Sequence, residues 1–432
     1  MSAREITPTE AAQLIRAVDT VGMGLGPANP HAILAALSAR EDWENLTIGG
    51  ALVLGLFDIF NRPGVHYRAG FFGPAERFYR AAGADIQHVP AGFRQFAPIL
   101  AKLAPRVMMV QGTVPDQHGY VSLSLHHGAT FDELKRAGAD SQRVLMVEIT
   151  PHLPWTTALE GFDNRLHVDE IDFLVRSEEK PFELPSEAPT DADLEIAKLV
   201  MERVPLDATL QTGIGAIPNM VAQALCDRPG GEYGVHSEMF TDGLWQLSLA
   251  GKVTNTHKGL NDGVSVTTFA LGSAGLYSWL HENHLVTFAP VSYVNDPTVI
   301  SNHHNFVSVN GAIAVDLYGQ IVADSVTGKQ ISGVGGHEDF VAGTDLNLDD
   351  TSFICLRSTI EINGELVSRI TPTLPLGSVV ATPRHHTGAV VTEYGVADVR
   401  GLTVTERAHA LADIAHPQFR EELHAAAQSV GN

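Results

Sequence analysis

Short apolar runs alternating with amphipathic helical segments decide most about what this chain folds into. Runs such as Leu46–Ile48, Arg106–Val110 and Val144–Ile149 have strand length and strand composition, and near-continuous apolar character marks strands covered on both faces. Between them, Asn29–Arg40 and Pro74–Ala82 carry helical periodicity. The sequence therefore predicts an α/β fold, a mostly parallel sheet with helices packed on it. The first helix is marked at its start: Thr7 as N-cap, Pro8 in the first turn and Glu10 as the capping-box acid precede Ala11, Leu14, Ile15 and Val18.

The chain has 432 residues, more than one ordinary domain of roughly 150 requires. Between Ser177 and Ala192 it turns acidic and Pro-rich (Glu178, Glu179, Pro181, Pro185, Pro189), the composition of an exposed connection. The boundary is placed there, giving an N-terminal α/β lobe over 1–180 and a C-terminal one over 191–432. In the second lobe the alternation resumes: helix Asp193–Arg203, strand Thr209–Thr212, helix Pro218–Leu225, strand Tyr233–Ser237 and a strand-rich stretch over Phe306–Val322.

The glycine-rich turns separate by spacing. Gly22, Gly24 and Gly26 form GxGxG rather than GxGxxG, so a nicotinamide site is poorly supported. Gly213-Ile214-Gly215-Ala216-Ile217 follows a strand and opens a helix, an arrangement that either receives an anion on unpaired N–H groups or is an ordinary tight turn. Gly333-Val334-Gly335-Gly336 lets backbone approach a ligand where any Cβ would collide, or forms a flexible hairpin. Glu238, in Gly234–Gly243, stands where a strand of an open α/β sheet ends; it is either a nucleophile or base, or a solvated acid. GxSxG and Walker A patterns are missing, and the 20 His fall into no HExxH or similar metal spacing.

With 28 basic against 50 acidic residues, a net charge of −22 and no Lys/Arg concentration, the chain is a poor candidate for nucleic acid. A polyanionic ligand would have to be held locally, by backbone N–H groups and a few cations. Cys226 and Cys355 stand far apart with neither disulfide nor zinc spacing. Met1–Arg16 lacks an apolar signal core and no run of about 18 apolar residues occurs, so the expectation is a cytoplasmic protein with no membrane partner.

Taken together the stretches are familiar. Leu210–Pro218, His236-Ser237-Glu238-Met239, Tyr293–Pro297, Ile331–Gly336 with Asp339-Phe340, and Val391–Ala397 occur in an order that resembles the acetyl-CoA hydrolase/transferase family. These are class I CoA transferases, among them the 4-hydroxybutyrate, butyrate and acetate CoA-transferases. The first half matches more loosely, through Pro115-Asp116, His118-Gly119-Tyr120 and Leu166-His167-Val168.

The resemblance implies two similar open α/β lobes of the CoA-transferase (NagB/RpiA-like) type with the site at their interface. It implies Glu238 as catalytic nucleophile, Asn295 polarising the thioester carbonyl, and Gly336 with Gly335 as backbone donors beside the thioester. Gly213, Ile214, Gly215, Ala216, Ile217, Gly333 and Ile313, the last on the strand before the glycine loop, would line the CoA site. No metal and no prosthetic group are implied. Coenzyme A and acyl-CoA are substrates together with a short-chain carboxylic acid, and a homo-oligomer, dimer or tetramer, is expected. Two alternatives stay open: an acyl-CoA hydrolase, in which water takes the acyl group, and a non-catalytic CoA-binding protein, against which the intact Glu238 argues.

Overall fold

A computed structural model describes residues 3–185 and 188–431. The Ser177–Ala192 connection therefore includes two positions, 186 and 187, outside the described residues. Contacts divide the chain into two compact units. The first runs through Leu184 and takes in Val266–Val294; the second holds Pro185–Ser265 and everything from Asn295 on.

The first unit is built on eight strands: β1 (Arg4–Ile6), β2 (Val18–Met23), β3 (Asn45–Gly50), β4 (Val65–Ala69), β5 (Ile86–His88), β6 (Val107–Thr113), β7 (Val144–Thr150) and β8 (Phe173–Arg176). They lie in the order β1-β8-β7-β6-β2-β3-β4-β5, every pairing parallel. All of β6 and nearly all of β7 are buried, as the continuous apolar runs require of strands covered on both faces. Each fully buried Val, Ile or Leu there contributes about 2 kcal/mol. Helix α1 (Pro8–Leu14) starts as expected: the Thr7 hydroxyl accepts from the Glu10 N–H, and the Glu10 carboxylate accepts from the Thr7 N–H at 2.8 Å. Helix α2 (His31–Ser38) begins on a buried acid instead. Glu148 of β7 accepts from the Ile33 N–H at 3.0 Å and is steadied by Gln111 and Ser177, so a carboxyl oxygen meets the positive end of the helix.

The segment Val266–Val294 is tied into this unit by backbone bonds. The N–H groups of His127 and Gly128 both donate to the Thr268 carbonyl (2.9 and 3.1 Å), Ala270 donates to Leu125 (2.8 Å), and Val291 donates to Gly128 (3.1 Å). Val286–Phe288 pairs in parallel with Thr157–Ala158.

In the second unit, β9 (Thr209–Thr212), β10 (Gly234–Phe240), β11 (Phe306–Gly311), β12 (Thr351–Cys355), β13 (Ala389–Thr392) and β14 (Gly395–Asp398) lie in the order β14-β13-β12-β11-β9-β10. All pairings are parallel except β13 with β14. Alternate residues serve opposite faces: Phe353, Cys355 and Val391 join one apolar cluster, Ile354 and Val390 another, the two-residue period of a strand packed on both sides. Helix α3 (Asp191–Met201) starts two residues earlier than expected. Thr190 caps it, with Asp193 in the capping-box position, and Asp193 also takes a two-pronged pair from Arg357 at 2.9 and 2.7 Å. Helix α4 (Ala216–Asp227) likewise begins before Pro218; proline is tolerated there because first-turn N–H groups have no helical acceptor.

Candidate active site

Strand β10 runs two residues past Glu238, because Met239 and Phe240 are buried and prolong it; the expected strand had ended at Ser237. Glu238 is thus fixed by backbone on both sides. The Ser237 hydroxyl lies 2.8 Å from the Met239 carbonyl and 3.3 Å from that of Thr212. That links the end of β10 to the end of β9, where the Gly213 turn begins.

Asn295 reaches the same point from a different part of the chain. Asp296 caps the short helix Pro297–Ser301, its carboxylate accepting from the Thr298 N–H at 2.7 Å, and Pro297 fills the first helical position. The residue just before this cap is held rigidly. Fully buried, Asn295 donates from Nδ2 to Glu238 Oε2 at 2.6 Å. The third arrival is Gly336, N-cap of helix α5 (His337–Thr344), preceded by Gly335 in the left-handed region at φ +56°. A Cβ on Gly336 would run into Glu238 Oε2 and Asn295 Nδ2, so only glycine leaves both side chains where they are. His337, buried, anchors the helix start through Nε2 to Thr382 Oγ1 at 2.9 Å. Three residues assigned by resemblance, Glu238, Asn295 and Gly336, therefore meet at one place.

Glu238 as a whole residue is half-buried, and protein crowds its carboxyl enough that desolvation pushes its pKa up to about 8. The bond from Asn295 opposes that rise and the negative charge of Asp339 adds to it. Asp339 went unassigned in the sequence, where it stood only as part of a motif. Its signal was position, a carboxylate in the first turn of a helix that opens on glycine.

The Gly213–Ile217 stretch divides between a bend and a helix. Gly213 follows the strand, Ile214 and Gly215 bend the chain, Gly215 being the N-cap at φ +121°, and Ala216 and Ile217 are the first helical residues of α4. No side chain caps that end, and a Cβ at Gly213 would meet open space; such an end favours an anion. Gly333 lies in the loop that leads to Gly335 and Gly336. Ile313 sits in a bend between β11 and Ala314–Asp316 rather than on a strand. The strand breaks there because the Ile313 N–H turns to the Val322 carbonyl (2.8 Å) while Ala312 donates to Cys355. Among the described residues no group of three or more His, Cys, Asp or Glu is placed to hold a metal ion, and no helix is long and apolar enough to cross a membrane.

Comparison with known proteins bears on the chain as a whole. A family profile described as the acetyl-CoA hydrolase/transferase C-terminal domain matches residues 272–427. The butyryl-CoA:acetate CoA-transferase of Anaerostipes caccae is 34% identical over 96% of this chain and 94% of its own length. The 4-hydroxybutyrate coenzyme A transferase of Clostridium kluyveri is 38% identical over 78% of this chain and 74% of its own. The crystal structure of RipA from Yersinia pestis superposes with a TM-score of 0.89 at 31% identity, covering 99% of this chain and 97% of RipA. On full-length similarity of sequence and of fold, the chain belongs to the acetyl-CoA hydrolase/transferase family.

Proposed function

We propose that the protein moves CoA from a short-chain acyl-CoA to a free carboxylate by a ping-pong mechanism through a glutamyl-CoA thioester on Glu238. The observation that carries this reading is the three-way contact of Glu238, Asn295 and Gly336: a desolvated carboxylate, an amide donor on its oxygen, and backbone where any side chain would displace both. Desolvation raises basicity, and a basic carboxylate is the stronger nucleophile once ionised. An oxygen of Glu238 attacks the acyl carbonyl, the C–S bond breaks, and CoA leaves as thiolate from an acyl-glutamyl anhydride. The thiolate then attacks the Glu238 carbonyl, expelling the first acid as carboxylate and leaving the thioester. A second carboxylate reverses both steps. Each tetrahedral oxyanion needs fixed donors; Asn295 Nδ2 supplies one, and the Gly335-Gly336 backbone is assigned the others. CoA would lie along the uncapped Gly213–Ile217 helix start, with Gly333, Gly335 and Ile313 beside it.

Incubation with an acyl-CoA and no acceptor, followed by borohydride, should reduce the thioester carbonyl, and peptide mass spectrometry should find the change on Glu238. Initial rates with donor and acceptor varied should give parallel double-reciprocal lines. Intersecting lines, or stoichiometric release of free CoA and acid without an acceptor, would sink the transferase reading, the second outcome in favour of hydrolysis.

The reaction also carries a pH signature. Only ionised Glu238 attacks, and its carboxyl is pushed up to about 8, so kcat/KM should climb with pH through neutrality and level off above about 8. A profile already flat from pH 5.5 upward would show that the free enzyme's nucleophile is not this carboxyl.

A further inference from the structure

The Asn295 amide bonds to two carboxylates, not one. Its Nδ2 lies 2.6 Å from Glu238 Oε2 and 3.3 Å from Asp339 Oδ2, so its two N–H bonds have a carboxyl oxygen from each acid within reach. Its Oδ1 is buried with no hydrogen-bond partner among the described residues. Turning the amide over would bring that oxygen against both carboxylates at once. The pair of acids therefore selects which end of Asn295 faces Glu238. Asp339 is itself buried, at 7% exposure, in the first turn of α5, where the helix N-terminus favours a negative charge.

The importance of the second acid appears when the reaction is followed through. When Glu238 is ionised, its own charge orients the amide. Once Glu238 has become an anhydride or a thioester its charge is gone, and a neutral ester-like oxygen discriminates weakly between the two ends of an amide. Yet the next step builds a new oxyanion on that same carbon, and the N–H must already be aimed at it. Asp339 forms no bond to substrate in any step, so its charge persists throughout.

We infer that Asp339 is a positioning residue for CoA transfer, holding the Asn295 amide with an N–H toward Glu238 through the stages at which Glu238 itself is uncharged. The inference rests on the transferase reading of Glu238 given above. Two consequences distinguish it from a structural role in α5. Asp339 positions the oxyanion donor through Asn295, so its removal should cost nothing further in plateau kcat once Asn295 is gone. Asp339 is also the charged group placed to act on Glu238 from α5, and Asn295, the neutral group, acts on it from the other side; discharging Asp339 should move the acid limb of kcat/KM to lower pH.

The test combines D339A, D339N, N295A and the D339A/N295A double variant. D339A should lower kcat by about 10²-fold, the order lost with an oxyanion donor, while KM for acyl-CoA stays within about threefold. D339N, whose amide oxygen can still accept from Asn295, should recover about tenfold of that loss and share the shifted acid limb. The double variant should match N295A in kcat at pH above the acid limb, where the charge of Asp339 no longer bears on the ionisation of Glu238. Wild-type kcat in D339A, or a double variant slower than N295A by the full D339A factor, would overturn the inference. Where D339A does not fold, D339N decides: an unshifted acid limb overturns it. Borohydride trapping on the wild-type protein separates the two levels. Absence of a Glu238 adduct removes the transferase reading and this inference with it; an adduct together with an indifferent Asp339 removes only the latter.

Discussion

Glu238→Gln should lower CoA transfer by roughly four orders of magnitude or more, the scale on which removal of a covalent nucleophile acts, while the protein folds and still binds CoA. Gln keeps the shape of Glu and can present an oxygen to Asn295 Nδ2, so the bond now at 2.6 Å has an isosteric replacement. What it cannot supply is an anionic oxygen to form the anhydride. Stability should move the other way. The folded-state pKa of Glu238, about 8, lies above its ordinary 4.5, so between those values the folded chain holds more protons than the unfolded one. Stability contributed at this site therefore falls as pH rises through that window. Gln removes the ionisation, so the variant should unfold at the same temperature or higher, the difference growing toward pH 8. Near wild-type transfer by the variant, with mass spectrometry excluding deamidation back to Glu, would send the search to another residue.

Gly336→Ala should cost about 10²-fold in kcat, and Gly336→Val more, with little change in melting temperature. The new Cβ lands on Glu238 Oε2 and Asn295 Nδ2, the two atoms whose mutual aim the reaction needs. The α5 start survives the change, because φ at Gly336 is −92°, ordinary for any residue, and His337 still anchors on Thr382. The collision is relieved by swinging Glu238 and Asn295 away, and a displacement near 1 Å at a reacting group is worth about 10²-fold. Turnover in Gly336→Ala equal to wild type, with an unchanged melting curve, would mean that the glycine's closeness to Glu238 has no part in the chemistry.

What the sequence revealed was whatever is written locally. Strand Thr209–Thr212 matches its expected bounds and helix α1 its expected cap, because apolar period and the Thr7–Glu10 box are short-range signals. The start of α3 was misplaced by two residues, since its box uses Asp193 rather than the usual Glu or Gln and sits in an acidic, Pro-rich stretch that masks it. In the site, motif order was enough to bring up Glu238, Asn295 and Gly336. Their contact spans 57 residues from Glu238 to Asn295, and no local pattern states such a distance. Asp339 escaped for the same reason: its meaning lies in an amide 44 residues away. Ile313 was misread because an apolar residue between two strands looks continuous with them until its N–H is seen turning to Val322.

The return of Val266–Val294 to the first unit sets a timetable for synthesis. On the ribosome, β1 to β8 are complete once Arg176 has emerged, yet the carbonyl of Thr268 that His127 and Gly128 need, and the Val291 that closes on Gly128, do not exist until about a hundred residues later. At translation speeds of about 5–20 residues per second that is a wait of roughly 5–20 s. During it the nascent chain carries buried-to-be His127 and Gly128, with the carbonyl their N–H groups donate to still missing, beside a sheet already able to form. The second unit begins to be made inside the same interval, so the two are finished by interleaved rather than successive folding. Synonymous-codon pausing or chaperone engagement in this protein should therefore matter most between residues 184 and 294, before the first unit can close.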